Sequence, residues 1–468
     1  MPAPYRRSAF VFRRDLRLAD NAGLRRAVEM SGEVLPCFVL DPRQTDSGEN
    51  EYFSAHAFQF LLESLEDLDA QLAAAGGRLF RFWGEPAATV ARLIEEAGVE
   101  AVFVNRDYTP FSRARDGAIQ EVCAARSVPF HRSHDALLTY PGQVLTGSGT
   151  PYRVFTPFWR AAREVEVPAP SGEPPARWAT AAVPLAILSP DETRELLARE
   201  NPELWLHGGR ARGLALLDRI GDLAGYQETR DLPADNAGTS TLSPHHKLGT
   251  VSIRESFHRI RDALGLQGAG HELLRQLYWR DFFTQLAWFE PRVFGHAFRP
   301  EYDAVAWEDD PALFEAWCAG RTGFPLVDAG MRQLAATGWM PNRVRMVVAS
   351  VLVKDLHLDW RRGERWFARH LVDYDPAVNN GNWQWAASTG ADAQPYFRIF
   401  NPWRQQERFD PEAAYVRRWV PELAELEAKA IHGLDRRRPA GLDYPEPVVD
   451  HKGRAARAKE LFEQARSR

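Results

Sequence analysis

The sequence contains only three cysteines in 468 residues, and Cys37, Cys123 and Cys318 lie far apart. This spacing argues against a disulfide framework and a zinc site, and it fits a reducing compartment. The chain also lacks any apolar run near the roughly 20 residues that a membrane-spanning helix needs. Its first residues, MPAPYRRSAFVF, hold no apolar stretch long enough for a signal peptide. We therefore expect a soluble, cytoplasmic protein with no membrane partner.

Positive charge is not in excess, since 58 Lys and Arg stand against 63 Asp and Glu, for a formal net charge of -5. This balance excludes a globally basic nucleic-acid-binding protein. It does not exclude DNA, because residues 340–420 carry more basic than acidic side chains and one basic face suffices for phosphate contacts. No GxGxxG follows the first predicted strand, so the ordinary dinucleotide fingerprint is missing.

The chain begins with short apolar strands that alternate with amphipathic helices. Strands are predicted at AFVF, VLPCFVL, RLFRF and AVFVN. This alternation predicts a doubly wound, Rossmann-like parallel α/β sheet in residues 1–131. The polar segments RRDLRLADN, LDPRQ and NRDYTPFSRARD each follow a strand, at the carboxyl edge where such sheets bind ligands. The residues leave both a solvated loop and a ligand contact open for each segment.

The rest of the chain divides into a proline-rich connector and a helical region. Residues 132–201 show little periodicity and predict an interdomain connection. From residue 202 to residue 468 helical periodicity dominates, which predicts an all-helical domain. Its charged tail, with Lys452, Arg454 and Lys459, is expected to form a solvated terminal helix.

The most unusual composition lies between Gly338 and Asn401, where tryptophans mix with acids and a pair of asparagines. Polar side chains are costly to bury unpaired, so this mixture favours a pocket for a large flat polar ligand over a tryptophan-rich core. Four residues at i, i+3, i+4 and i+7 spacing predict one ligand-facing helix stripe. They are Trp339, Asn342, Arg343 and Met346.

Two other segments place polar groups in unusual positions. The segment NAGTSTLSPHHKLGT puts the hydroxyls of Thr239, Ser240, Thr241 and Ser243 ahead of a helix. Taken alone, these hydroxyls favour helix N-caps, and a phosphate cradle formed with backbone amides is the alternative. The aromatic helix at residues 271–291 has a glutamine and an arginine inside its apolar pattern, which core packing does not explain.

At GWMPNRVRM, DYDPAVNNGNWQWAAS and PYFRIFNP the sequence resembles the photolyase/cryptochrome family, and within it the microbial class I cyclobutane pyrimidine dimer photolyases. FRRDLRLADN, VFTPFWR, TSTLSP, YWRDFF and GFPLVDAGMRQL extend the resemblance, in order, over nearly the whole chain. It implies an α/β antenna domain at 1–131, a connector at 132–201 and a helical domain at 202–468 that binds FAD and DNA. It further implies a monomeric carbon–carbon lyase that splits cyclobutane pyrimidine dimers in UV-damaged DNA, duplex or single-stranded, under light.

The resemblance implies FAD-binding roles for residues spread over the helical domain. They are Tyr226, Thr239, Ser240, Thr241, Leu242, Ser243, Arg280, Trp339, Asn342, Arg345, Asp373, Asp375 and Asn379. Arg345 is expected to pair with Asp373 beside the isoalloxazine, where a cation stabilises the anionic reduced flavin. Asn379 is expected to face flavin N5, and an asparagine at that position favours repair over a photoreceptor function.

Electron transfer and DNA contacts are implied by the same resemblance. The electron path from the surface to oxidised flavin is Trp307, Trp360 and Trp383. Asn379, Gln276 and Met346 are the other residues implied in catalysis. The residues implied to contact DNA or a flipped-out lesion are Arg230, Trp279, Arg280, Arg343, Trp385 and Arg398. Aromatic surfaces suit extruded bases because they stack on them.

Some positions depart from the family pattern. Gln276 stands where most cyclobutane dimer enzymes have a glutamate, and glutamine there is typical of (6-4) photolyases. Asn342 and Met346 occupy the positions of two histidines that (6-4) enzymes use for proton transfer, and neither is a general acid near neutral pH. The sequence therefore favours cyclobutane dimer repair, with (6-4) repair and a cryptochrome-like photoreceptor without repair as alternatives.

The antenna chromophore is a separate question. Ser112 stands where folate-binding relatives have an acid, whereas Asp107 and FVLDP look more like deazaflavin-binding relatives. An antenna of the 8-hydroxy-5-deazaflavin type is expected, and methenyltetrahydrofolate, another flavin or an empty site remain open.

Overall fold

The computed structural model describes residues 3–180, 183–235, 237–266, 268, 270–392 and 398–467. Of the motifs above, Asn236 and residues 395–397 lie outside these residues. The chain forms two compact units: unit 1 is Met1–Pro202, Leu206–Ala224 and Ser240–Pro291, and unit 2 is Glu203–Trp205, Gly225–Thr239 and Arg292–Arg468. The predicted domains, 1–131, 132–201 and 202–468, divide the chain by proposed function and not by contacts. Their boundaries stay a prediction. None of the helices in the described ranges is long and apolar enough to cross a membrane.

The strands are β1 Tyr5–Phe12, β2 Ser31–Leu40, β3 Phe80–Trp83, β4 Ala101–Asn105 and β5 Phe130–Ser133. The first helices are α1 Ala22–Met30, α2 Pro42–Thr45, α3 Ala55–Ala74, α4 Pro86–Ala97, α5 Pro110–Ala125, α6 Phe155–Ala162 and α7 Pro190–Glu195. The next are α8 Arg210–Asp218, α9 Tyr226–Thr229, α10 Ser243–Leu248, α11 Ile253–Ala263 and α12 Glu272–Phe289. The last are α13 Pro311–Cys318, α14 Pro325–Thr337, α15 Asn342–Ser350, α16 Trp360–His370, α17 Pro376–Ala387, α18 Pro402–Phe409, α19 Ala414–Trp419, α20 Ala428–His432 and α21 His451–Arg466. A π-helical segment, Val351–Asp355, follows α15 directly, and short 3₁₀ segments lie at Ile220–Leu223, Pro291–Val293, Pro300–Ala304 and Pro421–Leu423.

All five strands pair in parallel, in the order β3-β2-β1-β4-β5. Alternate residues of β1 point to opposite faces, so Ala9 and Val11 join one buried cluster with α4 and α5. Phe10 and Phe12 join the other cluster, with α1 and α3. Helices cover both faces, which is why these strands read as continuous apolar runs. The predicted doubly wound sheet is confirmed.

The polar segments after β1 and β4 meet at the carboxyl edge, where the strand order reverses. Arg14 pairs there with Asp107 at 3.1 Å, and Asn105 Nδ2 donates to Asp15 Oδ2 at 2.6 Å. Gly249, with φ of 63°, lies against this edge, and a Cβ on it would be 2.2 Å from the Arg14 carbonyl oxygen. These segments are therefore packed and internally paired, and the solvated-loop interpretation is wrong for them.

Unit 2 is helical, as predicted, around a core in which Trp317 and Trp360 are fully buried. Helix α15 begins at Asn342, so Trp339 precedes the helix, and its predicted place on the helix stripe is wrong. The physical reason is Pro341, which cannot be preceded by a helical residue without a steric clash.

Helix α21 is not the solvated terminal helix that its charges predict. Leu461 and Phe462 are buried in the unit 2 core, and Arg454 Nη2 donates to Glu308 at 2.7 Å. Most residues of this segment are polar or charged, so the sequence gives little sign of the narrow apolar stripe that packs in the core.

Candidate active site

Helix α15 carries the cation of the candidate site. Arg345 donates from Nη1 and Nη2 to the two carboxylate oxygens of Asp373 at 3.2 and 3.1 Å, and from Nε to the Met340 carbonyl at 2.7 Å. Its guanidinium lies over the Trp339 ring, 4.9 Å from the centroid. The Asp373 side chain is 6% exposed and that of Arg345 is 21% exposed. The expected pairing is confirmed, and Trp339 packs on the same cation although it is off the helix.

The residues at the N-terminus of helix α17 fix where the helix begins. Asp375 is the N-cap and accepts from two backbone N–H groups at 3.1 and 3.2 Å, and Pro376 fills the first helical position, where its missing N–H costs nothing. This start positions Asn379, Trp383 and Trp385 along one helix. The carboxylate of Asp375 is buried and has a structural role as a cap, and its contact with FAD stays a prediction.

The two adjacent asparagines of α17 have different partners. Asn379 Nδ2 donates to the Glu364 carbonyl at 3.1 Å. Asn380 Nδ2 donates to the Val293 carbonyl at 2.9 Å and to Glu364 Oε1 at 3.3 Å, while its Oδ1 accepts from Gln384 at 3.0 Å. Burial raises the pKa of Glu364 to about 7, although the hydrogen bond from Asn380 lowers it. Glu364 is not among the residues predicted from the sequence. The only sequence signal for a buried polar group here was the Asn379–Asn380 pair, which contacts Glu364 in the fold.

Three tryptophans were assigned to electron transfer. Trp360 and Trp383 are buried, and Trp307 is half-buried. Trp383 depends on Gly363, since a Cβ there would lie 2.2 Å from the indole. No two rings of this trio stack on each other in the part of the chain that the structure describes, and Trp383 instead contacts Trp317, with centroids 6.2 Å apart. The relay through the trio stays a prediction.

The predicted lesion-facing residues of unit 2 form two pairs. Asn342 is exposed, and its Nδ2 lies 3.7 Å from the Sδ of Met346, one turn along α15. Trp385 is half-buried, and the exposed Arg398 places its guanidinium 5.8 Å from the Trp385 ring centroid. Each pair therefore combines a polar end with an apolar surface, which suits a base that is apolar on its faces and polar at its edges.

The other two predicted arginines of unit 2 already have partners. Arg343 donates to Asp231 at 2.6 Å and lies 4.4 Å from the Phe409 ring centroid. Arg230 lies 5.9 Å from the ring centroid of Tyr226, which is buried. For Arg343, binding a DNA phosphate requires competition with Asp231.

In unit 1, helix α12 carries Gln276 and, one turn later, the adjacent residues Trp279 and Arg280. Gln276 Nε2 donates to the Glu272 carbonyl at 3.3 Å, so the amide folds back along its helix. The Trp279 ring stacks on Phe155 with centroids 3.7 Å apart and planes 8° from parallel. Arg280 donates to a backbone carbonyl of the segment that follows β5. Phe155 was not predicted as a site residue, and its signal was the VFTPFWR motif.

The hydroxyl-rich loop of residues 239–243 leads directly into α10, a helix that no side chain caps. Ser243 is its first residue and Leu242 its N-cap. Thr241 Oγ1 donates to the Ser240 carbonyl at 2.8 Å, and Thr241 adopts φ of 50°. A β-branched residue rarely takes this left-handed conformation, and such strain is kept mainly at functional sites. The capping interpretation finds no support at α10, and the phosphate cradle stays a prediction.

Unit 1 also contains a cavity of about 240 Å³. It is lined by Arg106, Asp107, Tyr108, Arg113, Asp116, Gly117, Arg132 and Trp288. Burial raises the pKa of Asp107, but Arg14 and Arg115 outweigh it and hold this pKa well below its usual range. The three lining arginines form no ion pair with any carboxylate in the described residues, and Arg113 lies 4.4 Å from the Trp288 ring centroid. The cavity therefore suits a flat ligand with an anionic group.

Two family models match this sequence: DNA photolyase over residues 8–175, and the FAD binding domain of DNA photolyase over residues 273–464. A protein named deoxyribodipyrimidine photo-lyase from Halobacterium salinarum is 39% identical, over 98% of this chain and 99% of its own. The chain belongs to the DNA photolyase family.

Solved structures of other DNA photolyases share the fold. An archaeal photolyase from Sulfolobus tokodaii, crystallised with two FAD molecules, is 43% identical with a TM-score of 0.88, covering 98% of this chain and 100% of its own. A class III photolyase from Agrobacterium tumefaciens is 38% identical with a TM-score of 0.90, covering 100% of this chain and 98% of its own.

The residues present fit the FAD that DNA photolyases bind. An isoalloxazine edge needs donors and acceptors, and unit 2 supplies the Arg345–Asp373 pair and the buried amide of Asn379. A pyrophosphate needs backbone N–H donors, and the loop at Thr241 in unit 1 leads into a helix start that no described side chain caps. The candidate donor set therefore agrees with a flavin dinucleotide.

Glu364 gives a pH-dependent test of this architecture. The pKa of Glu364 is raised from 4.5 to about 7 in the folded protein. The contribution of Glu364 to the free energy of unfolding is therefore fully present below pH 4.5 and is lost as the pH rises through 7. Glu364→Gln has no carboxyl group to titrate at this position. Between pH 5 and pH 8 we therefore expect the free energy of unfolding to fall by about 2 kcal/mol more in wild type than in the variant. Urea unfolding at both pH values measures the gain, with the exposed Glu315→Gln as control. An equal loss in Glu364→Gln and wild type would contradict the assignment.

Proposed function

We propose that this DNA photolyase repairs cyclobutane pyrimidine dimers under light, by transferring an electron from photoexcited reduced FAD to a flipped-out dimer. The observation that carries the lesion preference is on α15, where Asn342 and Met346 contact each other at 3.7 Å. Neither side chain donates a proton near neutral pH, so the proton transfer of (6-4) repair has no donor at these positions. Splitting a cyclobutane ring by electron transfer needs no such donor.

When bound, FAD would supply the electron that breaks the two carbon–carbon bonds of the dimer ring and would take that electron back. Arg345, held by Asp373, offers a cation that lowers the energy of the negative charge on the reduced ring. Asn379 has its Nδ2 bonded to the Glu364 carbonyl at 3.1 Å, which leaves Oδ1 as the atom to accept a hydrogen bond from N5. These side chains hold and tune the cofactor, and they undergo no covalent change.

The remaining FAD contacts in this proposal are those of the loop and its neighbours. Residues 239–243 donate backbone amides and hydroxyls to the pyrophosphate. Tyr226, which is buried beneath Arg230, supplies a further contact. Trp339 and Asn342 complete the set, and Arg280 serves FAD as well as DNA.

Damaged DNA is bound through stacking and phosphate contacts. We assign stacking on the bases of the lesion to Trp279 and Trp385, because base stacking on an aromatic ring contributes about 1–3 kcal/mol per base. Arg230, Arg280, Arg343 and Arg398 are assigned to phosphates, so that binding is independent of sequence and weakens with salt. Duplex and single-stranded substrates both present these groups. A monomer acting in the cytoplasm stays our prediction.

The antenna chromophore is proposed to bind the cavity of about 240 Å³ in unit 1. Our preferred ligand is of the 8-hydroxy-5-deazaflavin type, whose flat ring and acidic hydroxyl match an aromatic wall and the three lining guanidiniums. A second flavin is the leading alternative, since the Sulfolobus tokodaii photolyase was crystallised with two FAD molecules. Chromatography of the chromophores released on denaturation tests this proposal. A deazaflavin supports it, while FAD at two per chain, or a folate, contradicts it.

The proposed reaction is tested with a duplex that carries one cyclobutane thymine dimer. We expect chemically reduced holoenzyme to restore the two thymines under blue light. No restoration is expected in the dark, or under light by enzyme whose FAD is kept oxidised by an added electron acceptor. Chromatography of the digested strand measures the product. A cryptochrome-like photoreceptor binds FAD and absorbs the same light without restoring any dimer, and that outcome would reject the proposal.

Gln276→Glu tests the hydrogen bond to the lesion. A carboxyl group binds the dimer more strongly than an amide does, because charge-assisted hydrogen bonds are about twice as strong as neutral ones. We expect the yield of dimers repaired per absorbed photon to rise above wild type. The conservative control is Gln276→Asn, which retains the amide but shortens its reach. An unchanged or lower yield in Gln276→Glu counts against this role.

A further inference from the structure

Trp383 has a neighbour that the tryptophan trio does not include. Its indole meets the indole of Trp317 at 6.2 Å between centroids, with planes at 69°. Phe367 lies beside both rings, 4.9 Å from Trp383 and 6.2 Å from Trp317. Centroid separations of about 4.5–7 Å are those of aromatic rings in van der Waals contact. Among the described residues, Trp317 is therefore the indole in direct ring contact with Trp383.

From Trp317 the aromatic contacts continue toward the surface. Phe314 stacks on Trp317 at 5.9 Å, with planes 19° apart. Trp366 meets Phe314 edge to face at 6.3 Å, and His370 stacks on Trp366 at 4.3 Å. Trp317 is fully buried, whereas Trp366 is half-buried. The series thus starts in the core and ends at a ring that solvent reaches.

The Trp317 side chain is fixed in this series. Its Nε1 donates to the Val348 carbonyl at 3.1 Å, which keeps the ring in one orientation and gives its N–H no route to solvent. A buried indole held in this way can lose and regain an electron without losing a proton. Phe314 is much harder to oxidise than an indole, so it acts as a bridge between Trp317 and Trp366 and carries no charge itself.

We propose that Trp317 and Trp366 form a second electron path to Trp383, parallel to the path through Trp360 and Trp307. The proposal rests on the proposed function, because Trp383 must first give one electron to photoexcited oxidised FAD. Trp317 then reduces the oxidised Trp383, and Trp366 reduces Trp317. An external thiol returns the electron to Trp366, so one electron has moved from thiol to flavin and every indole is restored.

The charges around this path neither forbid it nor favour it strongly. Arg362 lies 4.1 Å from the Phe314 ring centroid and would repel a positive charge on the neighbouring indoles. Asp309 pairs with Arg362 at 3.1 Å and offsets part of that repulsion. We therefore expect this path to be slower than the path through Trp360.

The test uses holoenzyme with Trp360→Phe, Trp317→Phe and both changes together, with thiol present under blue light. Two residues on one path give a double variant no slower than the slower single variant, whereas parallel paths give a double variant slower than either. We expect Trp360→Phe to keep about a tenth of the wild-type photoreduction rate and the double variant to fall about tenfold further. A double variant equal to Trp360→Phe overturns the proposal.

A second measurement separates electron transfer from a loss of packing around the buried Trp317. Trp366→Phe in the Trp360→Phe background removes the half-buried end of the path, and the same tenfold fall is expected. Trp419→Phe, outside the path, is the control. Illumination in oxygen without thiol should also leave an oxidised Trp366 peptide in Trp360→Phe that mass spectrometry detects, and this product should vanish when Trp317 is also replaced. Equal oxidation of Trp366 with and without Trp317 overturns the proposal, and so does absent photoreduction in wild type. Failure of the proposed function shows separately, as absent dimer repair by chemically reduced enzyme.

Discussion

Trp383→Phe is expected to lower the rate of light-driven FAD reduction at least about a hundredfold and to leave repair by chemically reduced enzyme near the wild-type level. The reason is chemical, since a phenyl ring is far harder to oxidise than an indole. Both proposed paths begin at Trp383, so neither can compensate. The measurement is the bleaching of oxidised flavin absorbance under blue light with a thiol present, followed by a repair assay on dithionite-reduced enzyme.

The Trp383 ring packs directly against Gly363, since a Cβ on Gly363 would lie only 2.2 Å from the indole. Trp383→Phe therefore also leaves space beside Gly363. Gly363→Ala is therefore a companion variant, which displaces the indole without removing it. We expect Gly363→Ala to slow photoreduction less than Trp383→Phe does. Trp383→Phe with wild-type photoreduction would show that the electron enters the flavin by some other residue.

The second large effect is expected for Arg345→Met. This change removes both guanidinium hydrogen bonds from the carboxylate of Asp373, a side chain that is only 6% exposed. We expect a loss of about 2 kcal/mol in the free energy of unfolding, less than for a fully buried pair because Arg345 is partly solvated. We also expect FAD to bind about a hundredfold more weakly, since Arg345 is the cation that we propose lies beside the flavin ring.

A double variant separates these two effects. Asp373→Asn added to Arg345→Met removes the buried charge, so stability should recover while FAD affinity stays low. Arg321→Met removes an exposed ion pair with Glu315 and is the control for loss of a surface charge. Equilibrium dialysis of FAD and urea unfolding give the two quantities. Normal FAD affinity in Arg345→Met would show that the ion pair is only structural.

Much of the fold was predictable because its signals are local. The strands of the sheet are apolar on both faces, and sequence marked four of them; β5, with the sequence FHRS, is half-buried throughout and carries no such signal. The strand order could not be read from the sequence, since any order of parallel strands gives the same alternation. The packing of residues 240–291 with the sheet in unit 1 also lay beyond local patterns, because it depends on contacts such as that between Gly249 and Arg14.

In the candidate site, the sequence identified residues whose type is unusual and missed those whose type is ordinary. The Arg345–Asp373 pair was expected from the resemblance and is present. Glu364 was missed because a glutamate in the sequence RRGERW reads as a solvated helix residue, and only the fold buries it against Asn380. Trp317 was missed for the opposite reason, since a tryptophan in an apolar helix reads as core packing and its contact with Trp383 spans 66 positions of sequence.

We propose that the light-driven reaction acts on cyclobutane dimers and not on (6-4) products. This preference is tested most directly by mixing equal amounts of two duplexes, one with each lesion, with reduced holoenzyme and giving the mixture one dose of blue light. Because Asn342 and Met346 provide no acid on α15, we predict that the cyclobutane dimers are restored and the (6-4) products remain. Restoration of the (6-4) product, alone or together with the dimer, or of neither lesion, would contradict this preference.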